Sequence, residues 1–255
     1  MKPPVLVLHA PGTNRDRDVA EAFALAGGDP HIVTLNALIE SPARLADYRL
    51  VCVPGGFSFG DDLGAGKVFA LHLRLSLGDA LREHLDRGRP ILGICNGFQA
   101  LIKAGFFSAG FDAPPTATLT RNARAQFECR WVTLHPNAKS TSPWLSSLRT
   151  PIDCPVAHGE GRLVADPATA LTLMGPQAAF RYTPTPDTDD GYPGNPNGSL
   201  DHLAGITDPT GLVLGLMPHP EDHIHPFQHP DFHTGRRKNP GLPLFEAGVR
   251  LAAQT

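Results

Sequence analysis

Short apolar runs alternate with stretches of helical spacing over the first hundred residues. Residues 5–8 are all apolar, and residues 18–26 have helical character that stops at Gly27-Gly28. Residues 31–35 and 50–53 are the next two apolar runs. Residues 68–87 place Val68, Leu71 and Leu75 at helical intervals and end at Gly88. Residues 90–94 form a further apolar run, followed by a helical stretch over 98–104 that closes at Gly105. Short apolar runs bounded by turn residues predict strands buried on both faces, and a glycine after the last periodic residue predicts a helix stop. Strands and helices in alternation predict an α/β chain with a mostly parallel sheet and helices on both faces.

From Phe127 onward the pattern changes. Residues 127–134, 156–157, 163–165, 180–182 and 203–207 predict shorter strands, separated by Gly, Pro and Asp turns. Residues 183–199 are dense in Pro, Asp, Asn and Gly and predict a loop. The apolar run 212–216 predicts one more strand, stopped by Pro218. These elements are expected to extend the first sheet in partly antiparallel fashion. The expectation is one domain over 1–255, with a His- and Pro-rich C-terminal extension from about residue 222.

The chemistry begins where the fourth predicted strand ends. Gly93-Ile94-Cys95-Asn96-Gly97 puts a cysteine between two glycines, with a strand before it and a helix after it. That context gives a G-x-C-x-G match meaning as a nucleophile elbow, a strained turn that small flanking residues make possible. The following helix aims its unpaired N–H groups and positive dipole end at the sulfur. The alternative is a buried structural cysteine.

A thiol nucleophile needs a base, and the base an orienting group. His219 and Glu221, in Met217-Pro218-His219-Pro220-Glu221, follow the last apolar run. Pro220 biases His219 towards an extended backbone, in which residues two apart point the same way. Glu221 can then hold the imidazole in one tautomer while its other nitrogen faces Cys95. After the third predicted strand comes Pro54-Gly55-Gly56. The Gly56 N–H, with that of Asn96, would form an oxyanion hole for acyl transfer. Without Cys95, an ordinary tight turn would explain the two glycines.

A Gly-Gly loop, a G-x-C-x-G elbow and a distant His-Pro-Glu resemble the class I (triad) glutamine amidotransferases. The order Pro11-Gly12-Thr13-Asn14, then Pro54-Gly55-Gly56-Phe57-Ser58-Phe59-Gly60-Asp61, then Gly93-Ile94-Cys95-Asn96-Gly97-Phe98-Gln99 narrows the match. Pro155-Val156-Ala157-His158-Gly159-Glu160-Gly161, Asn195-Pro196-Asn197-Gly198-Ser199 and Met217-Pro218-His219-Pro220-Glu221 complete it. Together these segments resemble the glutaminase subunits of phosphoribosylformylglycinamidine synthases, of purine biosynthesis. The resemblance implies a flavodoxin-like amidotransferase fold and a Cys95-His219-Glu221 triad that hydrolyses glutamine to glutamate and ammonia. It implies Gln99, His158 and Gly159 as glutamine-binding residues. It also implies a synthetase partner that holds ATP and magnesium, with a small bridging subunit in some relatives. Two departures from the pattern are Arg15, where many relatives carry cysteine, and Asp222, where small bacterial subunits often carry arginine. Another class I amidotransferase subunit, a flavodoxin-like cysteine hydrolase or chaperone, and a non-enzymatic regulatory subunit remain as alternatives. The second would usually place histidine directly after the cysteine, where Asn96 stands here, and the third would be expected to lack a triad residue.

Composition narrows the partners. A net charge of -3 gives no reason to expect nucleic acid or an anionic membrane surface. No apolar run is long enough to span a bilayer, and no signal-like segment opens the chain. Cys52, Cys95, Cys129 and Cys154 are widely spaced, so free thiols in a reducing cytoplasm are expected rather than a disulfide frame. Residues 60–68 resemble a P-loop only superficially, since the spacing is wrong and Val68 replaces the Ser or Thr. No cofactor or metal is therefore expected on this chain, and the activation of an oxygen must come from the partner. The histidines at 219, 223, 225, 229 and 233 could share a metal, but Pro226 and Pro230 favour a surface loop.

Overall fold

A computed structural model describes residues 2–108, 114–235 and 239–255. The first strand is β1 (Pro4–His9), followed by helix α1 (Asp16–Leu25) and strand β2 (Asp29–Thr34). Asp16 and Asp18 lie in the first turn of α1, where the helix dipole favours them. The second strand ends one residue sooner than its apolar run. Thr34 accepts from the Ala37 N–H and caps α2 (Leu35–Glu40), a helix that the pattern did not announce.

Strand β3 (Leu50–Val53) is buried throughout, as expected. The long helical stretch is two helices, α3 (Lys67–Leu75) and α4 (Gly78–Asp86), broken at Ser76-Leu77. The buried face of α3 is Phe69, Ala70 and Leu73, whereas Leu71 and Leu75 of the expected stripe are solvent-exposed. Strand β4 (Ile91–Ile94) then leads through Cys95 into α5 (Asn96–Ala104), which is buried along almost its whole length.

The second half supplies β5 (Ala117–Thr120), β6 (Glu128–Pro136), β7 (Ile152–His158) and β8 (Arg162–Ala165). Helix α6 (Pro167–Met174), capped by Asp166, precedes β9 (Ala178–Tyr182), β10 (Leu203–Thr207) and β11 (Val213–Leu216). The nine-stranded sheet has the order β2-β1-β3-β4-β11-β10-β9-β6-β7, and β5 pairs with β8 in a separate ribbon. The pairings from β2 to β11 are parallel, and those from β11 to β7 are antiparallel. The expected antiparallel extension is thus a continuation of the same sheet.

The C-terminal segment is more than a tail. Helix α7 (Leu242–Ala252) buries Leu244 and Phe245, and the Phe245 ring meets Phe23 of α1 edge-on at 5.1 Å. Before it, His223 packs on the free edge of β7 and His229 on Trp131 of β6. The His223 ring donates through Nδ1 to the Asp153 carbonyl (2.5 Å), and the His229 ring lies 4.3 Å from that of Trp131. An uncovered strand edge is a template for unwanted pairing, so this packing has a structural reason. Among the described residues no three His, Cys, Asp or Glu side chains gather into a metal-holding group.

Candidate active site

Three neighbouring parallel strands, β3, β4 and β11, deliver the predicted residues to their common carboxyl end. In an open α/β sheet that is where ligands bind. The Gly55-Gly56 loop leaves β3, Cys95 leaves β4 and His219 follows β11.

Cys95 has φ 50° and ψ -107°, strained values for a residue with a side chain. The strain is held in place by packing. Its N–H donates to Leu216 O at 2.8 Å, and a Cβ on Gly97 would lie 1.8 Å from Val53 O. Only glycine lets α5 start that close to β3. Cys95 is almost wholly buried, and its sulfur lies 3.8 Å from the Ala157 carbonyl oxygen.

His219 and Glu221 are buried together, with Nδ1 donating to Oε1 at 2.8 Å. The same imidazole lies within the electrostatic reach of Cys95. Burial works against a charged ring. The Cys95 sulfur and the Glu221 carboxylate outweigh it and raise the His219 pKa well above the usual histidine value. An imidazole that holds a proton so firmly between these groups is suited to take the proton of a thiol.

Cys52 and Cys154 are different. Burial, reinforced by the negative field of Glu221, pushes both thiols well up, and they remain protonated and inert. Cys129 is exposed.

The glycine loop sits where sequence placed it. Gly56 has φ 147°, and a Cβ there would lie 2.7 Å from Gly12 O. Thr13 and Gly56 form an isolated bridge, with Asn14 N–H and Phe57 N–H as its donors. Among the described residues the Gly56 N–H donates to no loop or strand group. The Asn96 N–H lies in the first turn of α5, where a helix leaves its donors unpaired.

The side chain of Asn96 has its own role. Its Oδ1 accepts from the Ser58 N–H (3.0 Å), and its Nδ2 donates to Asp61 Oδ1 (3.1 Å) and Gln99 Oε1 (3.0 Å). It ties the elbow to the segment that follows the glycine loop. Gln99 is buried, and its Nε2 donates to the Glu160 carbonyl at 2.6 Å, so it binds the 158–161 loop.

His158 is buried beside the triad. Burial and the positive charge of His219 push its pKa down to about 3, so the ring is neutral. Its Nδ1 meets Asn122 Oδ1 at 3.2 Å, whereas its Nε2 is buried without a partner. Asn122 also accepts from the Gly161 N–H and donates to the His158 carbonyl. The Gly159 carbonyl accepts from the Asn122 N–H. Sequence reasoning missed Asn122, and it quoted Ser58 and Asp61 within a matching segment without giving either a role. Each acts through loop geometry and carries no spacing signal of its own.

The two departures noted in the sequence are partners. Arg15 Nη1 lies 3.4 Å from Asp222 Oδ1 and 3.2 Å from Asp18 Oδ2.

A cysteine on a strained elbow, a buried His–Glu pair near it and a parallel sheet beneath have the arrangement expected of a triad amidotransferase. The chain belongs to the CobB/CobQ-like glutamine amidotransferase domain family, whose model matches residues 2–251. It is 41% identical over 271 residues to a phosphoribosylformylglycinamidine synthase subunit PurQ from Treponema denticola, covering 98% of each chain. It is 40% identical to a subunit of the same name from Dehalococcoides mccartyi, covering 98% of this chain and 97% of the relative. Among solved structures it resembles a chain of PurLQS from Thermotoga maritima, with TM-score 0.75, 31% identity and coverage of 98% of this chain and 99% of that one.

Proposed function

We propose that this chain is the glutaminase subunit of a phosphoribosylformylglycinamidine synthase, with Cys95, His219 and Glu221 as its catalytic triad. The observation that carries the assignment of residues is the buried His219–Glu221 pair set against an elbow cysteine. The near-full-length likeness to the subunits from Treponema denticola and Dehalococcoides mccartyi supports the choice of reaction.

The Cys95 thiolate attacks the side-chain amide carbon of glutamine, and His219 holds the proton. Charge builds on the amide oxygen, which the backbone N–H groups of Gly56 and Asn96 stabilise. His219 then protonates the departing ammonia, leaving a glutamyl thioester. Water enters, gives a proton to His219 and releases glutamate. Glu221 keeps the ring in one tautomer and one orientation throughout. Gln99, His158 and Gly159 shape the glutamine pocket. His158 does so as a neutral ring whose unpartnered Nε2 is an acceptor when its Nδ1 carries the hydrogen.

Free ammonia is mostly protonated in neutral water and then cannot attack. It therefore passes to an ATP-dependent synthetase subunit along a shielded route, and the synthetase holds the ATP and magnesium. A small bridging subunit belongs to the same assembly, a reading that the PurLQS complex of Thermotoga maritima supports. Residues 1–255 act as one amidotransferase domain, supported by the sheet that continues from β2 to β7 and by α7 packing back on α1. The compartment is the cytoplasm, in keeping with four free cysteines. Among the described residues no helix is long and apolar enough to cross a membrane.

The closed triad has a consequence. Cys95, His219 and Glu221 are all less than 5% exposed, so the isolated chain is expected to be a poor glutaminase that partner docking opens. The test is release of ammonia and glutamate from glutamine, with and without synthetase, ATP and formylglycinamide ribonucleotide, beside Cys95→Ser. Partner-stimulated release that vanishes in Cys95→Ser supports the proposal. Full turnover by the isolated chain, or release that survives Cys95→Ser, overturns it.

A further inference from the structure

The segment that carries the oxyanion loop and the segment that carries the base come from opposite ends of the chain. Arg15 touches both. Its backbone N–H donates to Gly55 O at 3.3 Å. Its side-chain Cγ lies 3.5 Å from where a Cβ on Gly55 would stand, and the His219 Cε1 lies 2.7 Å from that same point. The guanidinium then reaches Asp222, 3.4 Å away. Asp222 follows Glu221 directly, and its N–H donates to the His219 carbonyl at 3.2 Å.

We infer that the Arg15–Asp222 ion pair is a positioning device of the glutaminase site, tying the Gly55-Gly56 loop to the His219–Glu221 turn and balancing charge beside the base. The inference rests on the triad proposed above. Arg15 and Asp222 do not touch the reacting atoms. They act through Gly55 and through Glu221.

The charges around the pair are few. Asp222 faces Glu221, His219, Arg15 and Asp18. His219 faces Cys95 and Glu221 across the site and His158 from β7. Burial and the Glu221 charge push Asp222 up to about 6, against the pull of His219 and Arg15. The guanidinium opposes that rise and holds the Asp222 side chain beside Glu221, whose Oε1 accepts from His219.

The two partners carry opposite charge, so removing each should move the site in opposite directions. Asp222→Asn takes a negative charge from beside His219 and disfavours its protonated form. The alkaline limb of reactivity should move to lower pH, by roughly half a unit for a partly solvated charge. Arg15→Gln should move it to higher pH by a similar amount. The reversed pair, Arg15→Asp with Asp222→Arg, restores the attraction and should recover more activity than either reversal alone. A merely structural pair predicts loss of stability with no signed shift.

The experiment measures the rate of Cys95 alkylation by chloroacetamide against pH, by peptide mass spectrometry on the full chain, and partner-stimulated glutamine turnover on the complex. Opposite shifts in the two single variants, with recovery in the reversed pair, support the inference. Shifts of the same sign, or no shift beyond a common fall in melting temperature, overturn it. Where Arg15→Gln or Asp222→Asn fails to fold, Arg15→Lys and Asp222→Glu take their place and should keep the wild-type limb, whereas a limb displaced in both overturns the inference. Because alkylation needs no glutamine turnover, a failure of the glutaminase assignment would appear separately, as an inactive complex with a reactive Cys95.

Discussion

The backbone of Gly97 lies so close to the end of β3 that a methyl group there would sit 1.8 Å from the Val53 carbonyl oxygen. The strained Cys95 backbone is therefore held by contact between α5 and the neighbouring strand. Gly97→Ala must push the helix outward. The expected cost is about 1–3 kcal/mol of stability, from overpacking at a rigid backbone site. Thermal or denaturant melts of the variant, beside its rate of Cys95 alkylation, check both the cost and the loss of the elbow.

Asn96 has a proposed role as a backbone donor and, separately, makes a side-chain tie. Asn96→Ala keeps the first and removes the second, leaving the buried Ser58 N–H without its acceptor. A lost buried hydrogen bond costs about 1–3 kcal/mol. Loss of the loop's position should also lower kcat on the order of 10²-fold, the usual penalty for an ångström-scale misplacement. Steady-state glutaminase kinetics of the complex, compared with the melting temperature, separate the two effects. An unchanged kcat would rule out a positioning role for the side chain.

Glu221→Gln keeps the shape of the pair and removes its charge. The variant should lose on the order of 10³–10⁴-fold in kcat, as when the carboxylate of a triad is neutralised. His219 has a raised pKa in the folded chain, so its contribution to stability is complete below the unfolded histidine value and is lost as pH rises through the folded one. Without the Glu221 charge that upper boundary moves to lower pH. Unfolding free energies of both proteins between neutral and alkaline pH should show the wild-type advantage fading first in the variant.

His158 has the opposite sign. Its folded pKa of about 3 lies below the unfolded value, so the unfolded chain binds the extra proton first as pH falls. The stability it protects is present above pH ~6.5 and is lost on the way down to the folded value, with about 2 kcal/mol gone by pH ~5. A His158→Gln variant should show a shallower acid limb in urea unfolding measured at those two pH values. Equal slopes would mean that the ring is not held neutral by burial.

The histidine-rich segment should behave as packing. His223→Ala leaves the Asp153 carbonyl without its donor and the Trp131 face less covered, and should lower stability by about 1–3 kcal/mol. Neither zinc nor a chelator should change the melting temperature of the wild type. A zinc-dependent rise that disappears in His223→Ala would show a metal role for these side chains.

Much of the site was legible because its signals are local. The elbow is a pattern of five residues between a strand and a helix, and His219 and Glu221 are separated by the two-residue repeat of an extended chain. Gly56 was legible for the same reason. Elsewhere local signals misled. Leu71 and Leu75 match helical spacing but face solvent, because the buried face of α3 is set by its packing against α5. Helix α7 went unannounced, since its apolar residues follow a Pro- and His-rich stretch that reads as loop.

Sequence by itself determined the alternation of strands and helices in the first half and the positions of the proposed nucleophile, base and orienting acid, because short-range periodicity and turn chemistry are written in neighbouring residues. Tertiary structure alone decided how the site is held. It brought β7, the last strand of the sheet, over the triad, so that the Asp153, Pro155 and Ala157 carbonyls face His223, the His219 N–H and Cys95. It joined Asn96 to Ser58, Asn122 to His158 and Arg15 to Asp222, residues 36 to 207 apart in the chain. Such contacts depend on burial and on loops that return to the sheet from distant parts of the chain, which no window of sequence contains.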